Sequence, residues 1–155
     1  MPLSQDEQKT LWLPVCERQP QGEYLKADGA RYRPLRNLFN IAQSSLRRLL
    51  QQTDEESRAQ YRQQMLADQT ALADALLPVL TDTARDISLS GWYLWGQMLQ
   101  DPSLRALEQS LAWFSVQITK HWEQLPPQHQ EDRQAEQIKL QELSTLMLPE
   151  QMAAF

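Results

Sequence analysis

The sequence predicts an all-α fold: a single-domain bundle of five or six helices with an extended N-terminal arm. Three observations predict it. Large apolar residues recur at steps of three and four through most of the chain beyond residue 30, the mark of one buried face on a helix. No segment has the β-branched alternation or the turn spacing of a sheet. Helix breakers and caps, such as Asp54, Pro102 and Pro126-Pro127, fall between the periodic stretches.

Residues 1–30 read as the extended arm, because Pro14, Pro20, Gly22 and Gly29 interrupt any period of 3.6. Trp12 and Leu13 are expected to pin it to the helices, with Trp12 in a core or seam; an exposed Trp12 would instead suit a partner hot spot. The first helix is expected from Arg33 or Pro34 to about Gln52, with Leu35, Leu38, Phe39, Ala42, Leu46, Leu49 and Leu50 as its buried stripe. Thr53 or Asp54 caps the next helix, and Glu55 and Glu56 complement its dipole. Tyr61, Met65, Leu72, Leu76 and Leu77 form its weaker apolar face, and Pro78 either kinks it or opens a further short helix.

The bundle is expected to be organised around Thr83 to Gln128, which holds four of the five tryptophans. Leu104, Leu107, Leu111, Phe114, Ile118, Trp122 and Leu125 make one stripe on a helix of about 23 residues, roughly 35 Å long. Trp92, Trp95, Met98 and Leu99 offer a facing stripe, with Gly91 and Gly96 thinning the backbone for close approach. The two form an antiparallel hairpin turned at Asp101-Pro102, with Ser103 as the cap of the second helix and Pro126-Pro127 as its stop. A last helix spans about Arg133 to Met147, packing Ala135, Ile138, Leu143, Leu146 and Met147. The helical domain is thus bounded at 31–148, and 149–155 read as the start of a linker to a further C-terminal region.

Composition narrows the function. A formal charge of -5 argues against a phosphate-driven nucleic-acid binder, so Arg31, Arg33, Arg36, Arg47 and Arg48 read as a solvated helix face. The single cysteine, Cys16, can form no internal disulfide or thiol zinc site, which suits a reducing compartment, and it reads as a small hydrophobe. His121 and His129 lack a second ligand at metal spacing, and no catalytic or phosphate-loop motif is present. The expectation is a non-enzyme without cofactor or metal. There is no secretory signal and no apolar run near the ~20 residues a bilayer requires, so a soluble, cytoplasmic chain is expected.

Two stretches, taken together, resemble the N-terminal domain of the ImpA family of type VI secretion proteins, the group that contains TssA, TagA and VasL. Pro14 through Pro20, Gly22, Glu23 and Leu25 are similar to the opening signature of the family. Ala84-Arg85-Asp86-Ile87 running into Trp92-Tyr93-Leu94 is similar to its basic, Asp, apolar step into a helix. His121-Trp122-Glu123-Gln124-Leu125-Pro126 and the late segment Leu140 to Met147 fit its long-helix ending and closing helix. The resemblance covers about residues 12 to 148, and the order and spacing of the motifs carry it. Lys26-Ala27-Asp28 stands where Arg-Tyr-Asp is more usual, and Pro127 follows the usual single proline, which favours an accessory TagA-like or VasL-like member.

The resemblance implies a scaffold module that docks to sheath, baseplate or membrane-complex components during assembly or distal anchoring of the contractile sheath. It also implies a longer protein that oligomerises through its C-terminal region and reaches the inner membrane through partners. The candidate structural or docking positions are Pro14, Pro20, Gly22, Glu23, Leu25, Arg85, Asp86, Trp92, Trp122 and Pro126. From the residues alone, a small helical chaperone or regulator that binds a partner helix is the alternative.

Overall fold

Ser4 begins a helix where the sequence reads as an extended arm. In the computed structural model, which describes residues 4–128 and 132–146, α1 runs over Gln5–Trp12. Ser4 Oγ accepts the Glu7 amide at 3.2 Å and Glu7 Oε2 accepts the Ser4 amide at 2.8 Å, a reciprocal capping box. The Ser-x-x-Glu spacing is the overlooked signal, and the breakers lie beyond residue 13. A two-turn helix has one inward side, and it delivers Leu11, which is 1% exposed. Trp12 and Leu13 are 46% and 58% exposed, so Leu11 is the anchor in their place.

The loop that follows contains only a 3-10 turn at Leu25–Ala27. Cys16 lies exposed in it, accepting the Gln19 amide on Sγ at 3.3 Å, and is not a buried small hydrophobe. Asp28 ends the loop by accepting from the amides of Ala30 and Arg31, so α2 spans Gly29–Leu50 and starts ahead of Arg33. Leu35, Ala42, Leu46 and Leu49 are buried as the stripe predicts, Tyr32 joins them, and Leu50 at the helix end is exposed. Asp54 caps α3, Glu55–Asp82, through the Ser57 amide at 2.8 Å. This helix runs on through Pro78 and packs along α2, with Leu46, Leu49 and Met65 forming a small separate cluster.

α4, Ile87–Gln100, is the centre of the molecule. Ile87, Leu89, Trp92, Tyr93 and Leu94 are all buried, so it is packed on every side, against α3, α5 (Arg105–Lys120) and α6 (Asp132–Leu146). A side chain at Gly91 would overlap Leu146, so that glycine admits α6 and not α5. Gly96 faces Gln69 of α3.

α5 differs most from its expected form, at 16 residues and about 24 Å instead of 23 residues. Asp101 shares the capping of its start with Ser103: the carboxylate accepts from the Ser103 amide and hydroxyl and from the Ala106 amide at 3.0 Å, and Ser103 Oγ accepts the Arg105 amide at 3.4 Å. Leu104 then takes a left-handed conformation, φ 62°. The helix therefore enters with Ala106, Ser110, Trp113, Phe114 and Gln117 inward, while Leu104 and Leu111 are half exposed and Leu107 and Ile118 are partly covered. Small Ala106 and Ser110 permit a close approach that a leucine stripe would prevent. The helix ends at His121, and Trp122–Gln124 forms a 3-10 turn before the buried Leu125, Pro126 and Pro127. On α6, Ala135 and Leu146 are buried and Ile138 and Leu143 partly so; Met147, His129 and residues 149–155 lie outside the described residues.

Candidate functional site

Arg85 and Asp86, consecutive at the junction of α3 and α4, hold the N-terminal loop from two ends. The backbone first brings it into place: Gly22 bridges Ala84, the Glu23 amide donates to Thr83 O at 3.1 Å, and the Arg85 amide donates to Gln21 O at 3.1 Å. Gly22 has φ +76°, and a Cβ there would overlap the Thr83 carbonyl and stand 2.8 Å from Ala84 Cα. Only glycine suits that approach. Arg85 then donates from Nε to Leu80 O at 2.8 Å and from Nη2 to the carbonyls of Leu11, at 3.0 Å, and Leu13. Trp113 Nε1 donates to the same Leu11 carbonyl at 3.0 Å, and the Arg85 guanidinium lies 5.9 Å from the Trp113 ring. Burial draws the Arg85 pKa down to about 10, so it stays charged at neutral pH, surrounded by carbonyl oxygens.

Asp86 binds the other end. Its two oxygens accept the amides of Leu25 and Lys26, each at 3.1 Å. Burial pushes its pKa up to about 7, outweighing those two bonds, which favour the carboxylate. Gly22, Leu25, Arg85 and Asp86 are thus brought together. Pro20 shapes the loop by accepting the Val15 amide at 2.8 Å, and Pro14 is exposed. Glu23 bonds no helix-start amide; its carboxylate pairs with Arg31 at the surface, and Asp28 and Asp86 do the amide binding.

Trp92 belongs to a neighbouring feature, a cavity of about 460 Å³ also lined by Tyr24, Tyr32, Arg36, Phe39 and Glu142. Phe39 stacks on Trp92 with centroids 4.3 Å apart, and Tyr32 lies 5.9 Å from it. Glu142 accepts the Tyr24 hydroxyl at 2.8 Å and has Lys26 Nζ 3.9 Å away. Burial raises the pKa of Glu142, and burial with the Glu142 bond raises that of Tyr24. Nothing in the helical pattern of α6 marks Glu142 as buried, because an acid three residues after an equally buried Lys139 reads as a polar face.

Residues 13–147 match the family profile described as ImpA, N-terminal, type VI secretion system. The chain belongs to this family. Comparison with curated proteins and with solved structures gave no match. The ImpA N-terminal family is a structural family of that secretion system and not a known enzyme family. In this ImpA domain the matched span takes in the loop, the Arg85-Asp86 clasp and the Trp92 cavity.

Trp122 and Pro126 occupy a different corner of the ImpA domain. Trp122 is half-buried, not core: its Nε1 donates to Glu136 Oε2 at 3.0 Å and its carbonyl accepts Lys139 Nζ at 2.7 Å, with that ammonium 5.0 Å from the ring centroid. This corner ties the end of α5 to α6, beside buried Pro126. The tryptophan that is fully enclosed is Trp113. Among the described residues no group of three or more His, Cys, Asp or Glu could hold a metal ion, and no helix is long and apolar enough to cross a membrane.

Proposed function

We propose that this ImpA domain is a docking module of the type VI secretion machine. Its partners are sheath, baseplate or membrane-complex proteins, met in the cytoplasm during assembly or distal anchoring of the contractile sheath. The family match over residues 13–147 carries the reading. The exposure of Trp12 and Leu13 supports it, because a large indole left in water beside a clamped loop has the chemistry of an interface anchor. Within the reading, Gly22, Leu25, Arg85 and Asp86 are structural, fixing the loop, and Trp12 presents the docking surface. Pro14, Pro20 and Glu23 shape its outer face, Trp92 and Glu142 line the adjacent cavity, and Trp122 and Pro126 secure α6. Lys26-Ala27-Asp28 and Pro127 further favour an accessory TagA-like or VasL-like role.

The immobilised domain, exposed to lysate of a cell carrying a type VI cluster, tests this by mass spectrometry of retained proteins. Wild type should retain sheath, baseplate or membrane-complex subunits, and Trp12→Ser should lose them by about tenfold or more, the loss expected for a hot spot. Trp12→Ser should leave the melting temperature nearly unchanged, because surface substitutions act within about 0.5 kcal/mol. Retention of none of these subunits by the folded wild type would end the docking reading for this domain.

A further inference from the structure

The cavity beside Trp92 carries chemistry that the clasp does not use. Its walls are rings, Tyr24, Tyr32, Phe39 and Trp92, and Glu142 lines it with a side chain only 7% exposed. Glu142 Oε1 is engaged by the Tyr24 hydroxyl, whereas Oε2 is buried with no hydrogen-bond partner of ordinary geometry among the described residues. The Ser88 amide in the first turn of α4 acts on this carboxylate in the direction that favours its charge, yet burial outweighs it. A buried acceptor short of a well-placed donor is costly, and a donor arriving from outside lowers that cost.

One buried carboxylate, Glu142, lines the cavity, together with Lys26 and Arg36. Glu142 shares the lining with Tyr24 and Tyr32, whereas both oxygens of Asp86 are taken up by the Leu25 and Lys26 amides. Both resident cations are the exposed members of this lining: Lys26 is 45% exposed with its Nζ 3.9 Å from the buried Glu142, at the limit of an ion pair, and Arg36 is exposed beside Tyr32. Carboxylate and aromatic faces together recognise cationic groups. A guanidinium suits them better than an ammonium, since it is planar, stacks on rings, is weakly hydrated and donates along a fork matched to a carboxylate. A cavity of about 460 Å³ holds one such side chain with its stem.

We propose that this cavity is a binding site for a guanidinium group, the arginine side chain of a partner protein, with Glu142 accepting its N–H groups and Trp92 and the tyrosines flanking it. The source of the arginine rests on the docking reading; the site itself does not.

The test titrates the folded 155-residue chain with N-acetyl-arginine amide while the amide resonances of Tyr24, Ser88 and Glu142 and the Trp92 indole are followed by NMR. Saturable shifts confined to these residues are expected, with the lysine analogue several-fold weaker and the neutral citrulline analogue without effect. Glu142→Gln should weaken the arginine probe by about tenfold, the loss of one charge-assisted bond. Lys26→Ala should tighten it several-fold by removing the competing cation, an effect that a purely structural Glu142 would not produce. Lys26 is exposed, so this variant keeps the test readable if Glu142→Gln does not fold. Absence of saturable shifts in the wild type, equal binding of the citrulline analogue, or weaker binding by Lys26→Ala would each overturn the assignment, the last because the lysine would then help to build the site instead of competing for Glu142. Binding of the probe together with a failed capture of secretion subunits would leave the site standing and remove the docking reading alone.

Discussion

Arg85 keeps its charge inside the protein because carbonyls from three places in the chain, Leu11, Leu13 and Leu80, converge on one guanidinium. Arg85→Met removes the donor, leaving the Leu80 carbonyl without it and the Leu11 carbonyl to Trp113 alone, so a loss of about 1 to 3 kcal/mol is expected in urea unfolding. A loss under about 1 kcal/mol would mean that water already satisfies them. The tryptophans separate in the same way. Trp113→Ala empties a fully enclosed site and should cost about 3 to 5 kcal/mol, whereas Trp122→Ala, at a half-buried corner, should cost much less. Equal losses from the two would contradict the burial difference. At this scale the sequence marks which residues are unusual, Arg85, Asp86 and Gly22 among them, but not which oxygen or amide each one meets.

Among the elements, α1 and α5 show how local chemistry overrides a period. Two turns of α1 exist because Ser4 and Glu7 satisfy its first amides, and they remain docked because Leu11 and its carbonyl are held by Trp113 and Arg85. The entry to α5 is set by Asp101, whose carboxylate gathers three donors, and by Leu104 in a left-handed conformation that costs a leucine about 1 kcal/mol. Leu104→Asn should therefore stabilise the domain by about 0.5 to 1 kcal/mol, since asparagine tolerates that region and half of the Leu104 side chain already faces water. A fall in melting temperature would show that the exposed leucine packs more than its accessibility implies. Asp101→Ala should lower the melting temperature more than Ser103→Ala, because it is the aspartate that reaches the Ala106 amide.

For the whole molecule, the buried acids give stability a pH dependence of unusual sign. The pKa of Asp86 is pushed up to about 7 by burial from an ordinary 3.8, so the folded state holds the proton more tightly than the unfolded chain. Its contribution is complete below about pH 4 and is lost as pH rises through about 7. Burial shifts Glu142 the same way. The surface carboxylates run opposite: the Ser4 amide holds Glu7 below its usual range, Arg31 holds Asp28, and the Ser57 amide holds Asp54. Their contributions are present above the ordinary carboxylate range and are lost in acid. The urea midpoint should thus be higher near about pH 5.5 than near about pH 8.5, and Asp86→Asn should remove most of that difference. An unchanged midpoint across this range would show that the Leu25 and Lys26 amides fully offset the burial of the charge.

The sequence by itself determined the all-α class, the stripes of α2 and α3, the Asp54 cap and, through ordered motifs, the ImpA resemblance. Each rests on local periodicity, local hydrogen bonding or motif spacing, which a linear string records. Tertiary structure alone decided which face of α5 is inward, that α6 and not α5 meets Gly91 of the central α4, that Leu11 and not Trp12 is the anchor, and that Glu142 stands buried beside Tyr24. An apolar stripe shows that a face can be covered but not which neighbour covers it. A polar residue becomes a buried partner only when helices far apart in the chain close around it.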